Sequence, residues 1–287
     1  MAQDQLETDE EEQLEEREIE RRDFLGCLGS VIAGGIAAVA VGTMPQQPAA
    51  AAAKEAAPPA IPGYDWTKHR WAFGVDAFKC IGCLRCVEAC KIENDVPRNA
   101  HQFRTWVERY VYLEGEEHAR IDSQQDPVNI AASGSEEHFR FADRYRDANV
   151  EKAFFVPKLC NQCTHPACVQ VCPVGATYKG ADGIVLIDHE YCIGCRYCVQ
   201  ACPYGARYFN EEKGVTDKCT WCYHRITRGL QPACVEVCPV GARIFGDLND
   251  KESPVSRFIR ENRVQVLRPA MGNAPNVFYV GIDKEVL

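Results

Sequence analysis

Sixteen of the seventeen cysteines in this 287-residue chain fall into four quartets. Cys80, Cys83, Cys86 and Cys90 are spaced C-x2-C-x2-C-x3-C, and Cys192, Cys195, Cys198 and Cys202 repeat that spacing. Cys160, Cys163, Cys168 and Cys172 open the middle gap to four residues, and Cys219, Cys222, Cys234 and Cys238 open it to eleven. Three thiolates two residues apart in a tight loop can wrap one corner of a cubane iron-sulfur cluster. Ile81-Gly82 and Ile193-Gly194 let such a loop turn inward and offer amide hydrogens to the sulfurs. The last cysteine of each quartet lies a helical turn further on, in VEAC, VQVC, VQAC and VEVC, and three of the four are followed by a proline that stops the helix.

Other cysteine chemistries fit less well. Zinc needs four ligands in two knuckles and leaves the third close cysteine and the trailing Cys-Pro without a task. Cysteines two residues apart make poor disulfide partners on Cα geometry. Covalent haem requires C-x-x-C-H, and the residues after the relevant pairs are Val87, Thr164, Arg196 and Tyr223. Four iron-sulfur quartets in series form an internal repeat with a cofactor in each unit. His165, His189 and His224 stand near quartets, but the sixteen ligand places are filled, so they read as surface or hydrogen-bonding groups. Trp221 and Tyr197 are expected to shield clusters from water. No Ser-His-Asp order, nucleotide loop or paired-carboxylate signal is present, so the chain is expected to be non-catalytic.

The order of the four spacings, with KCIGCLRCVEAC, CIGCRYCVQACPYGARYF, PACVEVCPVGARIFGDL and MGNAPNVFYV, resembles the exported four-cluster ferredoxin subunits of membrane oxidoreductases. Formate-dependent nitrite reductase, the sulfite-reductase-associated membrane complex, polysulfide reductase and uptake hydrogenase have such subunits. The resemblance covers roughly residues 70 to 287, with Lys91 replacing the proline expected after Cys90. It implies an α+β fold of tandem, nested bacterial ferredoxin-like domains with loop insertions, holding four 4Fe-4S clusters. As in two-cluster ferredoxins, the last cysteine of a quartet is expected to ligate the neighbouring cluster. The implied sets are Cys80, Cys83, Cys86 and Cys238; Cys219, Cys222, Cys234 and Cys90; Cys160, Cys163, Cys168 and Cys202; and Cys192, Cys195, Cys198 and Cys172. The implied partners are a membrane quinone-interacting subunit and a catalytic subunit, molybdopterin or multihaem cytochrome, with electrons relayed between them; no nucleic-acid partner is expected. The alternatives are a freely diffusing exported polyferredoxin and, from another class, a zinc-stapled structural protein.

The elements that must position these loops, and the leader in front of them, are legible in outline. Arg21-Arg22, a Phe-Leu pair and a Gly/Ala-rich stretch with no charge between Asp23 and Lys54 resemble a twin-arginine export signal, which exports folded, cofactor-loaded protein. Export of this kind implies the periplasmic side of the cytoplasmic membrane, with membrane contact through a partner or an uncleaved leader. Cys27 belongs to the leader as a small apolar residue. Residues 1 to 23 hold eleven acids and three arginines, −8 of the formal net charge of −9, so overall acidity says nothing about partners. At 46% hydrophobic and 25% charged the chain is globular, not disordered or fibrous.

The expected divisions are a twin-arginine signal or anchor over 1–44 and an Ala/Pro linker over 45–69. One ferredoxin-like unit combines 70–99 with 214–250, an insertion runs over 100–155, a second unit over 156–213, and a C-terminal extension over 251–287. Strands are expected at WAFGVDA, AFFVP and GIVLID before loops, at ATYK, ARYF and ARIF after helices, and at VQVL and NVFYV near the end. Ser253-Pro254 should open a helix running to about Asn262, with Ser as cap and Pro in the first turn. The insertion reads as a solvated surface excursion, with a partner-docking surface as the alternative.

Overall fold

A short helix stands behind each cysteine loop, and the residue after the last cysteine decides where it stops. The computed structural model describes residues 61–97, 102–125, 141 and 143–287. Arg21, Arg22, Cys27, the 1–44 signal or anchor and most of the 45–69 stretch lie outside the described residues. Helix α1 spans Arg85–Glu93, α2 Ala167–Gln170, α3 Tyr197–Gln200, α4 Tyr223–Ile226, α5 Ala233–Glu236 and α6 Pro254–Glu261. Helices α2, α3 and α5 are single turns that end just before Cys172-Pro173, Cys202-Pro203 and Cys238-Pro239, because the residue before a proline is pushed out of the helical region. In α1, Lys91 occupies the proline place, and the helix runs on to Glu93 with the Asn94 amide bonded to the Cys90 carbonyl. Without the proline expected there, the helix gains about one more turn than its counterparts.

Strands β1 (Trp71–Asp76), β9 (Arg243–Asp247) and β10 (Val277–Val280) form one sheet in the order β10-β1-β9, with β1 parallel to β10 and antiparallel to β9. Phe73 sits opposite both Val277 and Phe245. The strand leading into the first quartet is therefore flanked by the strand following the fourth and by one near the C-terminus. Phe73, Phe245 and Trp221 pack against one another with ring centroids 5.7 to 6.0 Å apart, and each is fully buried. Such aromatic burial contributes roughly 1.5–3 kcal/mol per side chain. Hairpins β5–β6 (Thr177–Lys179, Val185–Ile187) and β7–β8 (Arg207–Asn210, Val215–Lys218) lie around the second and third quartets. The described portion is thus α+β, with small sheets and short helices.

Strands β2 (Thr105–Leu113), β3 (Arg120–Ser123) and β4 (Val150–Leu159) form the sheet β3-β2-β4. Within 100–155, therefore, β2 is not a solvated excursion: Thr105, Trp106, Val107, Tyr110 and Val111 are buried. Its charged residues are paired instead of facing water, Glu108 with Lys158 at 2.6 Å and Arg109 with Asp122 at 2.6 Å. Pro157 is accommodated because β4 is an edge strand.

The C-terminal elements follow the expected pattern with one exception. Ser253 caps α6 by accepting the Ser256 amide at 3.2 Å, Pro254 occupies the first turn, and Val255 and Phe258 face the core. NVFYV contributes β10, whereas VQVL forms only an isolated bridge from Gln265 to Tyr279. The end of the stretch read as a linker is packed down: Tyr64 Oη donates to Asp182 at 2.8 Å and Trp66 Nε1 donates to the Tyr223 hydroxyl at 2.6 Å. Among the described residues no helix is long and apolar enough to cross a membrane.

Candidate functional site

In the first and third quartets the loop between the first two cysteines turns on a glycine in the left-handed region, and in the second and fourth Gln162 and Trp221 take that conformation. Gly82 has φ +66° and Gly194 φ +68°, and the amide of each donates to the sulfur two residues earlier, Cys80 and Cys192. A side chain at Gly194 would meet the Gly214 carbonyl oxygen at 2.5 Å, so the loop lies directly on the β7–β8 turn. Further polar groups approach the sulfurs. The Thr177 amide reaches Cys172 Sγ at 3.4 Å, the Trp221 amide Cys219 Sγ at 3.4 Å, and the Thr216 hydroxyl lies 3.6 Å from Cys192 Sγ and accepts from Cys198 Sγ at 3.4 Å. Asn94 Nδ2 lies 3.5 Å from Cys90 Sγ and 3.8 Å from Cys222 Sγ, so a single amide spans the first and fourth quartets.

Cysteines from different quartets lie together. Cys160, Cys163 and Cys168 line a cavity together with Cys202. Cys192, Cys195 and Cys198 line another with Cys172. Cys80 has Cys86 and Cys238 as sulfur neighbours, and Cys90 has Cys219, Cys234 and Cys222. The third and fourth cysteines of each quartet are four residues apart, so the fourth is displaced about 6 Å along the helix from its own loop. Among the described residues no three His, Cys, Asp or Glu side chains converge enough to hold a single metal ion. Cysteine thiolates such as those lining these cavities are the ligands a four-iron core takes.

Electrostatics agrees with that fit. Burial pushes Cys163 up to about 12 and Cys80 up to about 11. It also carries Cys90 well above the ordinary thiol range, with the Cys219, Cys234 and Cys222 sulfurs adding to the effect. Thiols this reluctant to ionise gain a counter-charge when iron binds as their protons leave. Cys192 is the exception: burial would raise it, but bonds from the Thr216 and Gly194 amides and the Thr216 hydroxyl hold it below the usual value.

Three basic side chains that the sequence reading did not single out lie buried among the sulfurs. Arg207 Nη2 donates to Cys168 Sγ at 3.1 Å, Arg243 Nη2 donates to the Thr105 hydroxyl at 2.8 Å, and Lys218 Nζ donates to the Val185 and Cys219 carbonyls. Arg207 and Arg243 have a sequence signal, since both follow Cys-Pro-x-Gly-Ala in the repeat. Trp221 is 1% exposed and donates to the Cys160 carbonyl at 3.1 Å, a shield for the second and fourth loops. Tyr197 is 59% exposed and shields nothing, because it starts α3 on the solvent side. His165, His189 and His224 are exposed, and His224 Nε2 lies 2.6 Å from Glu93.

Comparison with known proteins agrees with this site. Residues 79–176 and 151–248 each match the 4Fe-4S dicluster domain, and together the two stretches contain all sixteen cysteines. The chain is 40% identical over 218 residues to the tetrathionate reductase B subunit of Salmonella typhimurium, covering 75% of this chain and 74% of that protein. It is 44% identical over 213 residues to the tetrathionate reductase B subunit of Archaeoglobus fulgidus, covering 74% and 83%. It is 34% identical over 258 residues to the Hdr-like menaquinol oxidoreductase iron-sulfur subunit 1 of the same organism, covering 76% and 86%. With its cysteine loops, its sulfur-lined cavities and relatives of this kind, the chain belongs to the 4Fe-4S dicluster family of iron-sulfur subunits, which carry electrons in reductase complexes and are not themselves catalytic.

Proposed function

We propose that this chain relays single electrons through four 4Fe-4S clusters between a membrane quinone-linked subunit and a catalytic subunit, molybdopterin or multihaem cytochrome, of a respiratory complex. The complex lies on the periplasmic side of the cytoplasmic membrane, and the chain reaches it folded, by the twin-arginine route through Arg21 and Arg22. The tetrathionate reductase and menaquinol oxidoreductase names of its relatives support a catalytic partner and a quinol link.

The ligand sets are Cys80, Cys83, Cys86 and Cys238; Cys219, Cys222, Cys234 and Cys90; Cys160, Cys163, Cys168 and Cys202; and Cys192, Cys195, Cys198 and Cys172. One observation carries them: the last cysteine of each quartet has the first cysteines of another quartet as its neighbours. On this assignment 70–99 with 214–250 make one ferredoxin-like unit and 156–213 the nested second. Each cluster supplies a one-electron redox centre when bound. The protein's part is to hold four thiolates around it, to direct amides and the Thr216 hydroxyl at the sulfurs, and to exclude water with Trp221.

Iron analysis and paired serine variants test the assignment. Anaerobically purified protein should carry about sixteen irons, four for each cysteine-ligated cubane. Cys238→Ser and Cys83→Ser should abolish the same electron paramagnetic resonance signal, and Cys90→Ser and Cys222→Ser a different one. Fewer than about twelve irons, or Cys238→Ser and Cys222→Ser erasing one common signal, overturns the assignment.

A further inference from the structure

Three of the four quartets end in the phrase Cys-Pro-x-Gly-Ala-x, and the fold repeats with it. The glycine amide bonds back to the cysteine carbonyl at 3.3 to 3.4 Å in each copy. The alanine is buried, and the next residue, Thr177, Arg207 or Arg243, is buried as well. A repeat that inserts arginine at a buried place in two of three copies calls for a reason. An arginine side chain cannot shed its charge in a protein, and a buried charge is costly unless something answers it.

Carboxylates do not answer it. The partly buried Arg104 pairs with Asp217 and Arg109 with Asp122, but among the described residues neither Arg207 nor Arg243 forms an ion pair with a carboxylate. Arg207 is 5% exposed and divides its donors between the Thr177 hydroxyl, at 3.2 Å, and Cys168 Sγ. Its electrostatic partners are Cys168 and Cys160 on one side and Cys198 on the other. Arg243 is 2% exposed; its Nε and Nη1 have no hydrogen-bond partner, and it lies among Cys86, Cys80 and Cys234. Each guanidinium thus has sulfurs from two different ligand sets as its electrostatic partners. The compensating negative charge has to be that of the thiolates and of what they bind.

We propose that Arg207 and Arg243 are inter-cluster cations, each raising the reduction potentials of the two clusters it separates. This rests on the ligand sets given above. Reduction adds one electron and one negative charge next to a fixed positive charge, in a region with little water to screen it, so the reduced form gains more than the oxidised form. Because one charge lies between two centres, it moves both in the same direction. It thereby moves that pair of clusters together relative to the other two. Arg207 acts on the pair built from the second and third quartets, and Arg243 on the pair built from the first and fourth.

The test is a redox titration of the intact complex, each cluster followed by its own paramagnetic resonance signal as identified with the serine variants. Arg207→Gln should make two clusters at least tenfold harder to reduce, a downward shift of at least 59 mV for a one-electron couple, with a smaller shift in the other two. Arg243→Gln should reverse which pair moves. Arg207→Lys, which keeps the charge and changes the geometry, should restore most of the shift. Four intact clusters with unchanged potentials, or a shift confined to one cluster, overturn the proposal. So does loss of iron from both glutamine variants, which would assign the arginines to assembly alone. Wild-type protein with fewer than four clusters would instead overturn the ligand reading on which the proposal stands.

Discussion

Replacing Gly194 by alanine should cost more than the same change at Gly175, although the two backbones are nearly the same, with φ +68° at both. An alanine held in the left-handed region costs about 1–2 kcal/mol at either position. At Gly175 nothing lies within 4 Å of the new Cβ, so that is the whole cost. At Gly194 the Cβ would fall 2.5 Å from the Gly214 carbonyl oxygen, which is backbone and cannot rotate away. The loop and the β7–β8 turn must part by at least about 0.5 Å, and overpacking of this sort costs about 1–3 kcal/mol. At roughly 2–4 °C per kcal/mol for a chain of this size, Gly194→Ala should melt about 2–12 °C below Gly175→Ala in anaerobic calorimetry. The same displacement pulls the Gly194 amide from the Cys192 sulfur, so the variant should also lose about four irons while Gly175→Ala keeps them. Equal melting temperatures and equal iron in the two variants would refute the claim that the loop is seated against the turn.

Two further outcomes are expected. Replacing Arg21 and Arg22 together by lysine should leave folded, cluster-loaded precursor in the cytoplasm on fractionation; normal export of the double variant would show that the pair is incidental. Asp283→Asn weakens an acceptor shared by Tyr112 Oη at 2.7 Å and Lys152 Nζ at 3.0 Å, and should cost about 1–2 kcal/mol at neutral pH. Burial would raise the Asp283 carboxyl, but the bonds from Tyr112 and Lys152 outweigh it and hold it below the usual value. Its contribution is therefore complete above the unfolded value of about 3.9 and fades as pH falls through the lower folded value, so thermal melts of variant and wild type should converge in acid. A gap that stays constant down to about pH 2 would show that the carboxylate is not the stabilising group.

What the sequence by itself determined is local. The cysteine spacings, Gly82 and Gly194 between the first two cysteines of their quartets, and the prolines after three of the last cysteines act within one or two turns of chain. They specify loop, helix and helix end wherever the rest of the molecule lies. The Ser253-Pro254 start of α6 and the runs that became β1, β5, β6, β7 and β9 were legible for the same reason. Within the insertion β2 does not fit the solvated reading, because Glu108 and Arg109 look like surface residues until Lys158 and Asp122 come opposite them. Which sulfurs face one another was an expectation carried by resemblance. Spacing says that the fourth cysteine turns away from its loop, not which loop it meets, and that depends on β10 and β9 closing on β1 from either side. The arginine phrases were visible twice in the chain, yet nothing local tells a buried cation between two sulfur sets from a solvated one. Only packing, by removing water and withholding a carboxylate, gave Arg207 and Arg243 their electrostatic weight.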